Sequence, residues 1–440
     1  MKENQQLLEN IEEIDHNPHK AAEFRHLVIQ QHKCHVNKSL AKLADLMGTH
    51  IEVRSSGNYI FDERGEKYLA CGGYGVFTIG HCHPTVIEAV KSQLERHPLS
   101  TRALLNAELA QAAETLASVT PKGLDYVYFA NSGAEATEAG LKLARLSGKT
   151  KLVAMEGGYH GKTFGALSVT SRAAYRMPFQ PLLPDVEFIP FADSESLEKV
   201  LLQNGDECCV ILEPVQAEGG VIIPYEGYLR EVERLCRHYG AFLILDEIQT
   251  GLARLGTWWG ADREQIVPDV LLVGKALSGG VIPVSAAVAS KSAYFKLNRD
   301  PLLHTSTFAG SPLATVAART AINVIKNEGI VSRAKELGEK LIFQVKKIIE
   351  EICPHLVREV RGVGLLIGIE FEAEFLAGDF MFELMHRNVL VSYSLNAHRV
   401  VRLTPPATLD ESDVSWLITA ISLSAFALRE RNPSLNIANL

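Results

Sequence analysis

Short apolar runs alternate with helix-forming stretches from about Pro84 to Asn323. That rhythm predicts βα units and a mostly parallel sheet. Five runs read as its strands: Tyr126 to Ala130, Leu152 to Met155, Cys209 to Leu212, Ala241 to Leu245 and Val270 to Val273. Upstream, Glu3 to Gly48 is helix-prone, with Leu27, Val28, Ile29, Leu40, Leu43 and Leu46 set among polar residues. Two helices are expected there, packed on the body or on a partner chain. Ile51 to Leu69 alternates and has turn signals at Ser56-Gly57-Asn58 and Glu63-Arg64-Gly65, which predicts a small antiparallel unit. After Gly329 a Lys/Glu-rich helix precedes strand-like runs at Val363 to Phe371, Val389 to Tyr393 and Val400 to Leu403, a smaller α+β lobe. Ser415 to Leu428 is apolar but shorter than the roughly 20 residues a bilayer needs. It reads as a buried helix after Asp410-Glu411.

Composition narrows the class. Of 440 residues, 47% are hydrophobic and 22% charged, which excludes disorder and disulfide scaffolds and implies more than one lobe. Acidic residues exceed basic ones, 52 to 44, which argues against a nucleic-acid groove. No signal-peptide core opens the chain, and the odd count of seven cysteines suggests a reducing, cytoplasmic setting. Cys208 and Cys209 would point to opposite faces of one strand, so no disulfide is expected between them. The Gly80-His81-Cys82-His83-Pro84 turn, even with Cys71, has no common zinc spacing, and no metal site is expected.

The candidate chemistry sits where the central strands end, because ligands of parallel sheets bind beyond the strands' carboxyl ends. Ser132-Gly133-Ala134 opens a helix and offers free N–H groups to an anion such as phosphate, or is a plain N-cap. Asp246 follows five apolar residues, so its carboxylate needs a cation or donors. Lys275 follows Val270 to Val273 and Gly274; desolvation would make its amine a nucleophile for Schiff-base chemistry, unless it reaches solvent. A phosphate cradle, an imine-forming lysine and an acid for a pyridine nitrogen together match pyridoxal 5′-phosphate.

At this point the chain resembles the class III pyridoxal-phosphate aminotransferases of fold type I, near the putrescine, ornithine and acetylornithine enzymes. The resemblance rests on Asn131 to Ala136, Tyr159-His160-Gly161, Glu213 to Gln216, Leu245 to Gly251, Gly274 to Leu277 and His304 to Phe308. It implies an α/β fold: a large domain with a mostly parallel seven-stranded sheet flanked by helices, and a smaller α+β domain from both chain ends. The expected division is 1–50 as an N-terminal helical segment, 51–83 and 329–440 as the small domain, and 84–328 as the large cofactor domain. Lys275 would carry the cofactor and move a proton, and Asp246 would pair with the pyridine nitrogen. Tyr159 and Ile248 would enclose the ring, Gln249 reach its oxygen, and Ser132, Gly133 and Ala134 hold the phosphate. Glu213 and His160 would complete the cofactor's surroundings, unless His160 is only structural. Thr307 would reach the neighbouring subunit's phosphate, which implies a homodimer with active sites at the interface. Glu218 and Arg402 resemble a gating pair that admits an amine in one half-reaction and an oxo acid in the other; otherwise Arg402 is a surface strand residue. The chain departs from the family at Ala217, at Ala253 and Leu255, and at Ser278, and these departures are expected in loops at the pocket mouth.

The expected function is a ping-pong transfer from a terminal primary amine, a putrescine-like diamine or an ornithine-like ω-amino compound, to 2-oxoglutarate or pyruvate. Small molecules are the expected partners, with neither nucleic acid nor membrane. Three alternatives stay open: a transaminase acting on a free or carrier-bound aldehyde or ketone, an aminomutase on the same fold, and a catalytically silent binding protein.

Overall fold

A computed structural model of the chain describes residues 18–46 and 48–433. The first helix spans Pro18–Gln31; the part of the expected helical stretch before it, from Glu3, lies outside the described residues. Its Ala21 and Phe24 pack against Val28, Ile51 and Val53, which seats it on the body. A π-turn at His32–Val36 leads to a second helix, Lys38–Leu46, whose Leu40, Leu43 and Leu46 remain exposed.

Strands β1 (Glu52–Ser56), β2 (Tyr59–Asp62) and β3 (Lys67–Ala70) form the antiparallel unit expected from the alternation. The large sheet follows: β4 (Leu124–Ala130), β5 (Lys151–Met155), β6 (Val186–Ile189), β7 (Cys208–Leu212), β8 (Phe242–Asp246), β9 (Val270–Val273) and β10 (Ser285–Ser290). Its order is β4-β10-β9-β8-β7-β5-β6. Only β10 runs against its neighbours, so the sheet is mostly parallel, as the βα rhythm predicted.

Every residue of β7, β8 and β9 is buried, because helices cover both faces. The strand period of two divides their side chains. Cys209, Ile244 and Leu272 meet the helix Gly133–Leu146 on one face. Cys208, Leu243 and Leu271 belong to the opposite core, with the helices Tyr228–Tyr239 and Pro312–Asn327. All seven cysteines are free thiols.

The remaining strands are β11 (Val357–Val363), β12 (Leu366–Phe371), β13 (Val389–Leu390), β14 (Ser392–Ser394) and β15 (Ala397–Leu403). They correct two expectations: Val363 to Phe371 is split by a turn, Val363 ending β11 and pairing with Leu366 of β12, and Val389 to Tyr393 is not a single strand. β13 extends the first sheet parallel to β3, whereas β14 pairs with β15 in the order β11-β12-β15-β14. The chain has to cross at Val391 because one short segment serves two ladders. The helix Glu411–Arg431 is capped by Asp410, which accepts from the Ser412 and Asp413 N–H groups. Its Val414, Leu417, Ile421, Ala425 and Leu428 are buried at helical spacing. Among the described residues no helix is long and apolar enough to cross a membrane.

Candidate active site

The carboxyl ends of β4, β5, β7, β8 and β9 meet around a cavity of about 240 Å³. On one side the helix Gly133–Leu146 aims its N-terminus at the cavity. Ser132 caps it, its Oγ accepting Glu135 N–H at 3.3 Å. The N–H groups of Gly133 and Ala134, which line the cavity, have no acceptor among the described residues. They are therefore available to an anion. A Cβ at position 133 would stand 3.0 Å from Ile248 Cδ1, so a larger residue there would press on that side chain.

Asp246 closes the opposite end of the cavity, 3% exposed. Its Oδ2 lies 2.7 Å from His160 Nδ1, and its Oδ1 accepts Ile248 N–H at 3.1 Å. His160 is itself fixed: its N–H donates to Thr170 Oγ1 and its carbonyl accepts from Thr137 Oγ1, each at 2.9 Å. Glu213, at the end of β7, accepts the N–H groups of Tyr159 at 3.1 Å and Ala217 at 3.2 Å. Burial pushes its carboxyl up to about 7; His160 opposes the shift and Asp246 adds to it.

Lys275 follows β9 with φ of 44°, a strained conformation for a residue with a side chain. It is half-buried and faces the cavity. Burial pushes its ammonium down to about 8; nearby Glu218 opposes the shift and Arg402 adds to it. Nζ donates to Gln249 Oε1, and Gln249 Nε2 has no partner among the described residues. Tyr159 and Ile248 line the same cavity.

Glu218 also faces the cavity, and its Oε1 lies 2.8 Å from Arg402 Nη1. Arg402 is wholly buried on β15, so it is not a surface strand residue. Thr307 does not line this cavity, although the neighbouring Ser306 Oγ accepts from Asn131 Nδ2 at 3.2 Å. Thr307 is exposed, in a separate cleft of about 880 Å³ beside β4. Gly161, the last residue of the Tyr159-His160-Gly161 motif, lines the central cavity, and so does Lys162 next to it, which the sequence pattern does not single out.

The family departures are not at the pocket mouth. Ala217, Ala253, Leu255 and Ser278 are all buried, at 4% exposure or less. Ala217 carries an N–H that Glu213 needs, and Ala253 and Leu255 flank the buried Arg254. That guanidinium donates to Leu365 O, Pro405 O, Gly75 O and Thr78 Oγ1, tying three segments together. These positions are packing positions. In the Gly80 to Pro84 turn, His81 stacks on Phe77 with centroids 3.6 Å apart, and His83 lies 3.2 Å from Glu328.

Pyridoxal 5′-phosphate fits this donor set: unpaired N–H groups for a phosphate, a buried carboxylate for a ring nitrogen, and a desolvated amine between them. Fold and pocket define a pyridoxal-phosphate enzyme of fold type I. The chain belongs to the class-III aminotransferases, whose family model matches residues 44–424. Enzymes of this class take an amino donor and an oxo-acid acceptor and use pyridoxal phosphate. Among solved structures the chain is similar to an ornithine aminotransferase from Toxoplasma gondii, at 33% identity, covering 88% of this chain and 92% of that one, TM-score 0.82. An acetylornithine aminotransferase from Elizabethkingia anophelis matches at 29% identity over 89% and 99%, TM-score 0.76. A transaminase from the marine bacterium Virgibacillus matches at 25% identity over 87% and 94%, TM-score 0.81.

Proposed function

We propose that the chain transfers the amino group of a terminal primary amine, a putrescine-like diamine or an ornithine-like ω-amino compound, to an oxo acid such as 2-oxoglutarate or pyruvate. The observation that carries this reading is the Glu218–Arg402 pair beside Lys275. Paired, the guanidinium is neutralised and the pocket suits a cationic or neutral donor. Unpaired, it receives a carboxylate in charge-assisted hydrogen bonds. The ornithine and acetylornithine aminotransferases among the similar structures support ω-amino donors.

In this reading the Gly133 and Ala134 N–H groups, with Ser132, hold the cofactor phosphate. Asp246 faces the pyridine nitrogen, and His160 and Glu213 hold the surrounding network. Tyr159 and Ile248 flank the ring, and Gln249 serves its oxygen. When bound, the cofactor takes up the electrons released at the amine-bearing carbon. Lys275 Nζ would anchor it, and its free amine would take the proton from that carbon and give it back on the cofactor's side, so that no net proton is lost. The active unit is a homodimer in which Thr307 completes the site of a second copy. The exposed apolar residues around Thr307 support this: Leu104, Leu105, Leu302 and Phe308 all face outward. A cytoplasmic setting agrees with the free thiols.

The test is a panel of diamines and ω-amino acids with 2-oxoglutarate or pyruvate, scored for aldehyde and amino-acid products. Lys275→Ala should abolish turnover. Transfer from none of the donors would refute the reading, and conversion without any added oxo acid would favour the aminomutase.

A further inference from the structure

Glu218 is held at both carboxylate oxygens. Oε1 lies 2.8 Å from Arg402 Nη1, and Oε2 accepts Leu395 N–H at 2.8 Å. Leu395 sits in the turn between β14 and β15, which also leans on the β7 loop. Asn396 N–H donates to Glu218 O at 2.9 Å, and Ser394 Oγ donates to Ala217 O at 3.3 Å. From the other side Arg172 donates through Nη1 to the Leu395 carbonyl, and Tyr175 OH donates to the same oxygen at 3.2 Å. The Arg172 guanidinium rests over the Tyr175 ring, 4.9 Å from its centroid, and Nη1 lies 2.9 Å from His398 Nε2.

A swing of Glu218 away from Arg402 therefore breaks an ion pair and one hydrogen bond, and the hydrogen bond comes from a backbone group. That N–H stays aimed only while Leu395 keeps its φ and ψ. Its carbonyl, one Cα away, is the atom Arg172 clamps. Arg172 does not line the cavity and touches none of the reacting groups.

We propose that Arg172 is a positioning residue: through the Leu395 backbone it sets how readily Glu218 leaves Arg402, and so how the two half-reactions compare. This rests on the gating reading given under Proposed function. Loosening the clamp raises the fraction of molecules with Arg402 free. Apparent affinity scales with the competent fraction, so a minor open state gains oxo-acid affinity while the dominant closed state loses little amine affinity.

The test uses holoenzyme and measures the two half-reactions separately: putrescine or ornithine against the pyridoxal form, and 2-oxoglutarate against the pyridoxamine form. For Arg172→Ala the half-saturating 2-oxoglutarate concentration should fall about three- to tenfold, the worth of one hydrogen bond. That of the amine should stay within about twofold. Arg172→Lys, which keeps a donor, should restore the wild-type ratio. Tyr175→Phe removes the second donor to the same carbonyl and should shift the ratio in the same direction by less, which keeps the test open should Arg172→Ala fold poorly. Equal shifts in both half-reactions, an unchanged ratio, or weaker 2-oxoglutarate binding would each overturn the proposal. Failure of the gating reading shows separately, as a Glu218→Gln enzyme whose half-saturating 2-oxoglutarate concentration matches that of wild type.

Discussion

His160 Nδ1 stands 2.7 Å from Asp246 Oδ2, and the two side chains are 0% and 4% exposed. Removing the imidazole would leave that oxygen buried with no donor. His160→Phe should therefore destabilise the cofactor-free chain by about 3 kcal/mol. Urea unfolding with and without pyridoxal phosphate measures it. The loss should shrink when the cofactor is present, because the ring nitrogen gives Asp246 a new partner. A loss below about 1 kcal/mol without cofactor would mean that water already reaches the site.

Lys275 predicts a pH dependence for cofactor capture. Its ammonium is pushed down to about 8, and only the neutral amine attacks a carbonyl. The rate at which the cofactor-free chain takes up pyridoxal phosphate should climb as pH rises toward about 8 and then level off. Stability follows the same group. Between about 8 and the usual 10.5 the unfolded chain holds a proton that the folded chain has lost, so this lysine favours folding more as pH rises. Stopped-flow absorbance of cofactor uptake from about two pH units below 8 to about one above it is the check, and a flat profile below about 8 would contradict it.

Glu213 predicts the opposite slope in a lower window. Its carboxyl is raised from 4.5 to about 7, so between these values the folded chain binds the extra proton. Stability is full below about 4.5 and is lost as pH rises through about 7, on the order of 3 kcal/mol. Glu213→Gln cannot titrate and should lack this component. The difference between wild-type and variant unfolding curves across the window isolates it.

Gly133→Ala places a methyl group 3.0 Å from Ile248 Cδ1 and 3.2 Å from its Cγ2. Ile248, which lines the cavity, must then give way. Cofactor affinity should drop about tenfold while the fold stays intact. Adding Ile248→Val, which removes the Cδ1 contact, should recover part of the loss in a cofactor titration.

Much of this was legible in the sequence for a physical reason. A buried strand must be apolar, so the residue where polarity returns marks its carboxyl end, and Asp246 and Lys275 stood out in that way. Other features depend on distant segments. Nothing local marks Arg402; only the resemblance paired it with Glu218, far upstream, and the structure brings the two to 2.8 Å. The break at Val391 was invisible because its cause is the edge of β3. Ala253 and Leu255 were misplaced at the mouth because nothing local reveals that Arg254 between them ties Gly75 to Pro405. The positive φ of Lys275 leaves no trace in composition either.

The pairing of β3 with β13 has a consequence for synthesis. Asn58 donates to Asp413 across 355 positions, and Tyr59 OH donates to Asp413 Oδ1 at 2.6 Å. At about 5–20 residues per second, the opening hairpins leave the ribosome tens of seconds before these partners exist. Until then the β3 edge stays unpaired, as an available site for a neighbouring nascent chain. Truncation before Asp410 would thus be felt first at Asn58, 355 positions upstream of Asp413, and the late-made helix decides whether β1 and β2 find their place.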